Sequence, residues 1–492
     1  MATEHVDVLI IGAGISGIGA AHHLLHERPG TTFVVLECQE GYGGTWRTHR
    51  YPGVRSDSDL YTFGYSFKPW TGAPIATAEE IMTYLGEVID DDGLDQHIRY
   101  RHQIATASWS TEERRWTVTG TRAADDTGTG EDFEVTAGFL WMCQGYYRHA
   151  EGYTPEWDGM DDFTGRIVHP QTWPDDLDHV GKRVVVIGSG ATAATLIPAM
   201  ADDVEHITML QRSPTYFATG RNANELADQL RDLDIPEEWT HEIVRRQILK
   251  TQHLVTAMSA EHPEMVKEEL GKGIKEILGD DYDLSPHFTP SYRPWQQRIA
   301  FVPNGDLFHG IKAGKASVVT DQIVRFTEKG ILLESGEELF ADIIITATGF
   351  EMSVMGDVAF SVDGEPVDFA QTVGYRGTMF TGVPNMAWVF GYFRASWTLR
   401  ADLIAGFVCR LLARMEEKGA SMVVPTLRDE DADMALLPWV DPEDFNPGYL
   451  MRALHLMPKQ GDREPWRFSQ DYWTEKDEFP AIDLDDGTLA YS

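Results

Sequence analysis

Two glycine-rich turns, each placed between a short apolar run and an amphipathic run, restrict what this chain can fold into more than any other feature. The first, "VDVLIIGAGISGIGAAHHLL" (6–25), puts a buried-type strand at 6–11 directly before Gly12, Gly14 and Gly17 in GxGxxG spacing, with Ser16 inside the motif. The first glycine allows the tight turn, the second lets backbone approach a pyrophosphate, and the third lets helix and strand pack. The helix N-terminus then faces the phosphate charge. The second, "RVVVIGSGATAATLIPAM" (183–200), repeats the pattern with Gly188, Ser189, Gly190, Thr192 and Ala193 in GxGxxA spacing.

The two turns differ in the strand that comes after them. After the first, "TFVVLE" ends in Glu37, 20 residues beyond Gly17, where a carboxylate can bind ribose hydroxyls. After the second, "HITML" runs into Arg212 and Ser213. A cation there suits a 2′-phosphate that an acid would repel. The first site is therefore expected to take FAD and the second NADPH.

The fold class implied is α/β, with two Rossmann-like dinucleotide-binding domains. "AGFLWMCQGYY" (137–147) and "ADIIITATGF" (341–350) are strands ending at Gly145 and Gly349. In proteins with two dinucleotide sites such strands mark where the chain crosses between domains, so the NADPH domain is expected to be inserted in the FAD domain. The expected order is FAD domain 1–155, NADPH domain 156–220, a helical excursion 221–285, NADPH domain 286–344, and FAD domain 345–492. "VVTDQIVRF" and "GILLESGEEL" read as a hairpin, and "AADDTGTGED" (123–132) as a hairpin loop. "ASWTLRADLIAGFVCRLLARMEEKG" reads as a long helix with Ser396 or Thr398 as its cap and Gly419 as its end; its N-terminus could face the flavin.

A length of 492 residues calls for two or three domains. The net charge of −37 would repel nucleic acid and anionic lipid surfaces, so neither is an expected partner. Cys38, Cys143 and Cys409 are too few and too scattered for a disulfide framework or a zinc site, and no metal is expected. With no basic leader and no apolar stretch of about 20 residues, a cytoplasmic protein without a membrane span is expected. His22, His23 and His26 read as helix-surface residues.

Between the two turns lies "FTGRIVHPQTWP" (163–174), too aromatic for a linker and too interrupted by Gly165, Pro170 and Pro174 for a helix or strand. It fits FxGxxxHxxxW[PD] at Phe163, Gly165, His169, Trp173 and Pro174. "GGTWRTHRYPGVRSD" (43–57) fits a companion pattern, GGxWxxxx[FY]PGxxxD. With these motifs the chain resembles the type I Baeyer-Villiger monooxygenases, a class B flavoprotein family. It is most similar to the subgroup whose mycobacterial member activates ethionamide and related thioamides. Trp173 stands where the flavin N- and S-oxygenases of the sister class usually carry Tyr or Phe.

The resemblance implies that Asp57 and Arg298, in "PWQQRIAFVPNGDLF", line the flavin's reactive face as the catalytic pair. Gly44, Thr45 and Trp46 would belong to the FAD-contacting loop. His169 would organise a stiff hinge into the NADPH domain rather than carry protons. Two departures stand out: Gln297 where many members have a lysine for the 2′-phosphate, and Gln144 where related chains often have a small hydroxyl residue. The implied reaction is NADPH- and O2-dependent insertion of oxygen beside a ketone carbonyl, giving an ester or lactone through a C4a-peroxyflavin, with sulfide or thioamide oxygenation also open. The alternatives are a flavin N- or S-oxygenase without ketone activity, a non-oxygenating NADPH flavin reductase or oxidase, and a flavin-binding redox sensor.

Overall fold

The computed structural model describes residues 4–123 and 130–492. Strand β1 (Glu4–Ile11) is fully buried in its second half, as a central parallel strand must be. It passes through the first glycine turn into helix α1 (Ile15–Glu27), which returns to β2 (Phe33–Leu36), parallel to β1. Helix α2 (Ala78–Asp92) packs on α1; it starts at a capping box of Thr77 and Glu80 and stops at Gly93, whose φ is 63°. Strands β3 (His102–Ser110), β4 (Arg115–Ala123) and β5 (Gly130–Met142) form an antiparallel ribbon, and β5 also runs parallel to β1. The hairpin expected at 123–132 is present, since Ala123 pairs with Gly130; its tip, 124–129, lies outside the described residues. Strand β6 (Tyr147–Gly152) leaves this layer.

A second sheet is built from β7 (Arg166–Val168), β8 (Arg183–Ile187), β9 (His206–Gln211), β10 (Ala316–Thr320) and β11 (Ile343–Thr346). Its order is β10-β9-β8-β11-β7 and every pairing is parallel. Helix α3 (Ala191–Met200) comes directly after the second glycine turn. The segment 163–174 departs from expectation: it is not free of regular structure, because Arg166–Val168 is an edge strand paired with Ile343–Ile345. Three residues carry no periodicity of their own, and the pairing comes from a strand far along the chain. The chain then re-enters the first layer through β12 (Phe350–Met352), which pairs antiparallel with β6. The outgoing and returning connections thus form one two-stranded joint. Strand β13 (Met386–Trp388) adds beside β5, and α7 (Trp397–Lys418) packs on α1.

Gly419, at φ 61°, ends α7 as expected. At its start Ser396 holds the cap position without capping. Its Oγ pairs instead with Thr62 Oγ1 at 2.7 Å, while Thr398 Oγ1 donates to the Phe63 carbonyl at 2.8 Å. Among the described residues no helix is long and apolar enough to cross a membrane, and Cys38, Cys143 and Cys409 are free thiols.

Residues 225–278 form three helices, α4 (Glu225–Asp232), α5 (Glu237–Glu261) and α6 (Pro263–Leu278). Helix α5 is anchored by polar contacts as well as apolar packing. The buried Arg245 donates to the carbonyls of Tyr61, Thr62 and Gly64 at 2.9, 3.3 and 3.1 Å, satisfying the C-terminal carbonyls of a short helix at Leu60–Phe63. Four residues earlier, His241 Nδ1 accepts the Trp70 N–H at 3.1 Å. Burial first, and the Arg245 charge second, push this imidazole down to about 4 from 6.5. Between those values the unfolded chain holds a proton that the folded protein does not, so stability falls as pH drops, by about 1.4 kcal/mol per unit. At pH 5 this amounts to roughly 2 kcal/mol. His241→Gln is therefore expected to flatten the decline in denaturation midpoint between pH 6.5 and 5; an unchanged slope would count against this assignment.

Candidate active site

A cavity of about 680 Å³ opens at the C-terminal ends of the parallel strands β1 and β2 in the first sheet and reaches the glycine turn after β8 in the second, the position at which open α/β sheets bind ligands. Both glycine turns reach it. Gly12, at φ 101°, is doubly constrained, because a Cβ there would lie 2.7 Å from the Cys143 carbonyl oxygen. A Cβ on Gly17 would lie 1.8 Å from the Gly12 carbonyl oxygen, so α1 can sit this close to β1 only with glycine. The second turn repeats the logic: Gly188, at φ 128°, would meet the Ala347 carbonyl oxygen at 2.3 Å, whereas Gly190 has no atom within 4 Å of a Cβ position and faces open space.

The loop after β2 closes over the first turn. Gly43 N–H donates to the Ala13 carbonyl at 2.9 Å, and Gly14 and Gly44 approach backbone to backbone. Glu37 is buried at the strand end, its carboxylate accepting the Ala13 N–H at 2.7 Å and the Gln39 N–H at 2.9 Å. Thr45 accepts from the Tyr147 hydroxyl at 2.7 Å, and Trp397 Nε1–H donates to Ser16 Oγ at 2.8 Å, tying α7 to the first turn. Gly12, Gly14, Ser16, Glu37, Gly44, Thr45, Trp46, Asp57, Gly190, Thr192 and Arg298 all line the cavity.

Arg298 and Asp57, separated by 241 residues, come together here: Arg298 Nη1 lies 3.5 Å from Asp57 Oδ2. Burial opposes the guanidinium's charge, but Tyr449, Asp57 and Tyr146 outweigh it and hold Arg298 above its usual range. Tyr146 is itself raised, above all by burial. The arrangement presents a fixed cation, with a carboxylate holding one side, to a chamber walled by aromatic rings. Such a group can stabilise negative charge developing on a bound oxygen.

Other expected residues sit elsewhere. Arg212 and Ser213 lie exposed beyond the end of β9, outside the cavity lining. Ser189 is buried and shares a hydrogen bond with Thr215 Oγ1 at 2.8 Å. Gln297 lines the cavity, with its amide 3.4 Å from Asn446 Oδ1. Phe163 packs in the second sheet's core with Phe326, and Gly165 lets the chain pass the Asp342 carbonyl, which a Cβ would meet at 2.3 Å. Trp173 packs partly buried on the core around α3. His169 Nδ1 accepts the Gln171 N–H at 3.1 Å, and its ring fills the space beside Gly152 of the β6–β12 joint, where a Cβ would be 1.9 Å away. Burial lowers its basicity.

Tyr146, Tyr392, Tyr449 and Trp397 also line the chamber and were not legible as site residues. Nothing in the local sequence of Tyr146, Tyr392 and Tyr449 marks them, since they come from widely separated segments, whereas Trp397 opens α7, the helix whose N-terminus was expected to face the flavin. Gln144 had a signal, its departure from related chains. Its side-chain Nε2 and Oε1 are both buried without a partner, which suits a polar ligand in the cavity.

Residues 5–360 match the family described as FMO-like, flavin-binding monooxygenase-like. The chain is 46% identical over 473 residues to the FAD-containing monooxygenase EthA of Mycolicibacterium smegmatis, covering 96% of this chain and 94% of that one. It is 42% identical over 494 residues to the probable FAD-binding monooxygenase AlmA of Acinetobacter baylyi, covering 99% and 96%. Among solved structures, an oxidized steroid monooxygenase bound to NADP superposes with a TM-score of 0.77 at 24% identity, covering 99% of both chains. An open cyclohexanone monooxygenase superposes at 0.76 and 21%, covering 100% of both.

Proposed function

Because the chain belongs to the flavin-binding monooxygenase-like family, we propose that it holds FAD at the first glycine turn and NADPH at the second, and inserts one oxygen atom of O2 beside a ketone carbonyl to give an ester or lactone. The observation that carries this reading is the Arg298–Asp57 pair in the cavity that both turns reach. The residues fit the cofactors. Backbone at Gly14 and Gly44 is bare enough for a pyrophosphate, Glu37 at the end of β2 would meet the ribose hydroxyls, and Gly190 faces open space. When bound, FAD reduced by NADPH supplies the electrons and the activation of O2.

The protein's own part is to place charge and exclude water. Arg298 stabilises negative charge on the oxygen that attacks the carbonyl and on the oxyanion that results. Asp57 orients the guanidinium. Tyr146, Trp397 and Tyr449 shield that face from solvent. Arg212 and Ser213, at the exposed end of β9, would meet a 2′-phosphate at the surface, and His169 would hold the joint between the two cofactor sites in one register.

Incubation with NADPH, O2 and a simple cyclic ketone, against a simple sulfide, is expected to yield lactone; sulfoxide alone would favour an S-oxygenase, and NADPH consumption without either product would remove the proposal. Gly17→Ala is expected to cost about 1–3 kcal/mol by forcing α1 off β1. It should also yield protein largely free of flavin absorbance. Retention of a full complement of flavin would contradict the assignment of the first turn.

A further inference from the structure

Of the three histidines on α1 that read as helix surface, only His26 is exposed. His22 and His26 are four residues apart and so share one helix face. Asp92, the last residue of α2, meets both. His22 Nδ1 lies 2.6 Å from Asp92 Oδ2, and His26 Nε2 lies 2.9 Å from Oδ1. All three ligand atoms fall within 4.8 Å of one another. The His22 ring is stacked on Phe67 at 3.4 Å and 9°, so its orientation is set by packing rather than by the carboxylate alone. Side-chain exposures of 17% for His22, 12% for Asp92 and 54% for His26 describe a half-enclosed site with one side open to water.

We propose that His22, His26 and Asp92 bind one divalent transition-metal ion of the zinc type, clamping α1 to the end of α2 away from the cofactor cavity. Two imidazole nitrogens and one carboxylate oxygen suit zinc, copper, nickel and iron(II) rather than magnesium or calcium. Metal–ligand bonds of about 2.0–2.2 Å need donor atoms roughly 3–3.5 Å apart, which small side-chain rotations from the present spacing supply. Water would complete the coordination on the open side. Among the described residues the ion-pair partners of Asp92 are His22 and His26, so no lysine or arginine competes for the carboxylate. His23, the nearest other imidazole, is committed to Glu27 at 2.5 Å and Asp402 at 3.7 Å. The competing explanation is an ion-pair clamp with protonated rings.

The test uses the flavin-loaded protein, stripped with a chelator and desalted. Titration calorimetry with Zn²⁺ is expected to show one saturable equivalent, weakened at least about tenfold in His26→Gln and in Asp92→Asn, with flavin content unchanged. Cu²⁺ added to the oxidised protein should give an electron paramagnetic resonance spectrum split by two nitrogens, reduced to one in His26→Gln. No saturable equivalent in the wild type, or equal affinity in both variants, would reduce the cluster to an ion-pair clamp and overturn the proposal.

Discussion

Replacing Arg298 with alanine is expected to lower formation of oxygenated product about 10²–10³-fold while leaving reduction of the flavin by NADPH near its normal rate. The two halves of this expectation separate because reduction needs only the two dinucleotides in contact, whereas oxygen transfer passes through states with negative charge on oxygen. In the proposed reading Arg298, its fork 3.5 Å from Asp57, supplies the charge for that purpose. Lysine should not restore the rate, since a point charge on a flexible stem cannot be held by Asp57 and still present a planar donor to the substrate. Asp57→Asn should fall between, keeping the cation but loosening its orientation. The check is product yield per NADPH alongside stopped-flow flavin bleaching; equal loss of both would mean that Arg298 serves nucleotide binding instead.

The largest effect on stability should come from Glu475. Arg400 on α7 is completely buried and Glu475 nearly so, paired Nε to Oε2 at 3.0 Å. The remaining Arg400 donors reach the carbonyls of Arg376, Gly377 and Phe390, and the guanidinium lies 4.8 Å over the Phe468 ring. The Tyr392 hydroxyl also donates to Glu475, and Tyr392 lines the cofactor cavity. Glu475→Ala leaves a buried cation facing only carbonyl dipoles and should cost about 3–5 kcal/mol in denaturant unfolding. Replacing both partners, Arg400→Met with Glu475→Leu, should recover most of that loss, because desolvating the pair offsets much of its attraction. A double variant as unstable as the single one would show that Arg400 is needed for its carbonyl contacts rather than for its charge balance.

How far the chain's chemistry could be read in advance differs by residue. Gly12, Gly17 and Gly188 were legible because a turn with positive φ, or a helix so close that a Cβ would lie 1.8 Å from a carbonyl oxygen, leaves no other residue possible. The strands at 6–11 and 183–187 were legible because burial on both faces demands an unbroken apolar run. The short strand at Arg166–Val168 was not, because its hydrogen-bond partner lies at Ile343–Ile345 and three residues have no pattern. Ser396 was placed correctly at the start of α7, yet its hydroxyl bonds Thr62 from a distant segment instead of capping the helix.

Short-range sterics and periodicity thus settled the two nucleotide turns, the α/β class and the helical stretch, since each is a demand that neighbouring residues must meet together. Which side chains share the chamber was settled by how the chain leaves through β6 and returns through β12. That path sets Arg298 beside Asp57 and brings Tyr146 and Tyr449 to the guanidinium. Packing of α2 on α1 likewise brings Asp92 between His22 and His26. Such meetings impose no constraint on adjacent residues, so they leave no local trace and exist only once the layers have packed.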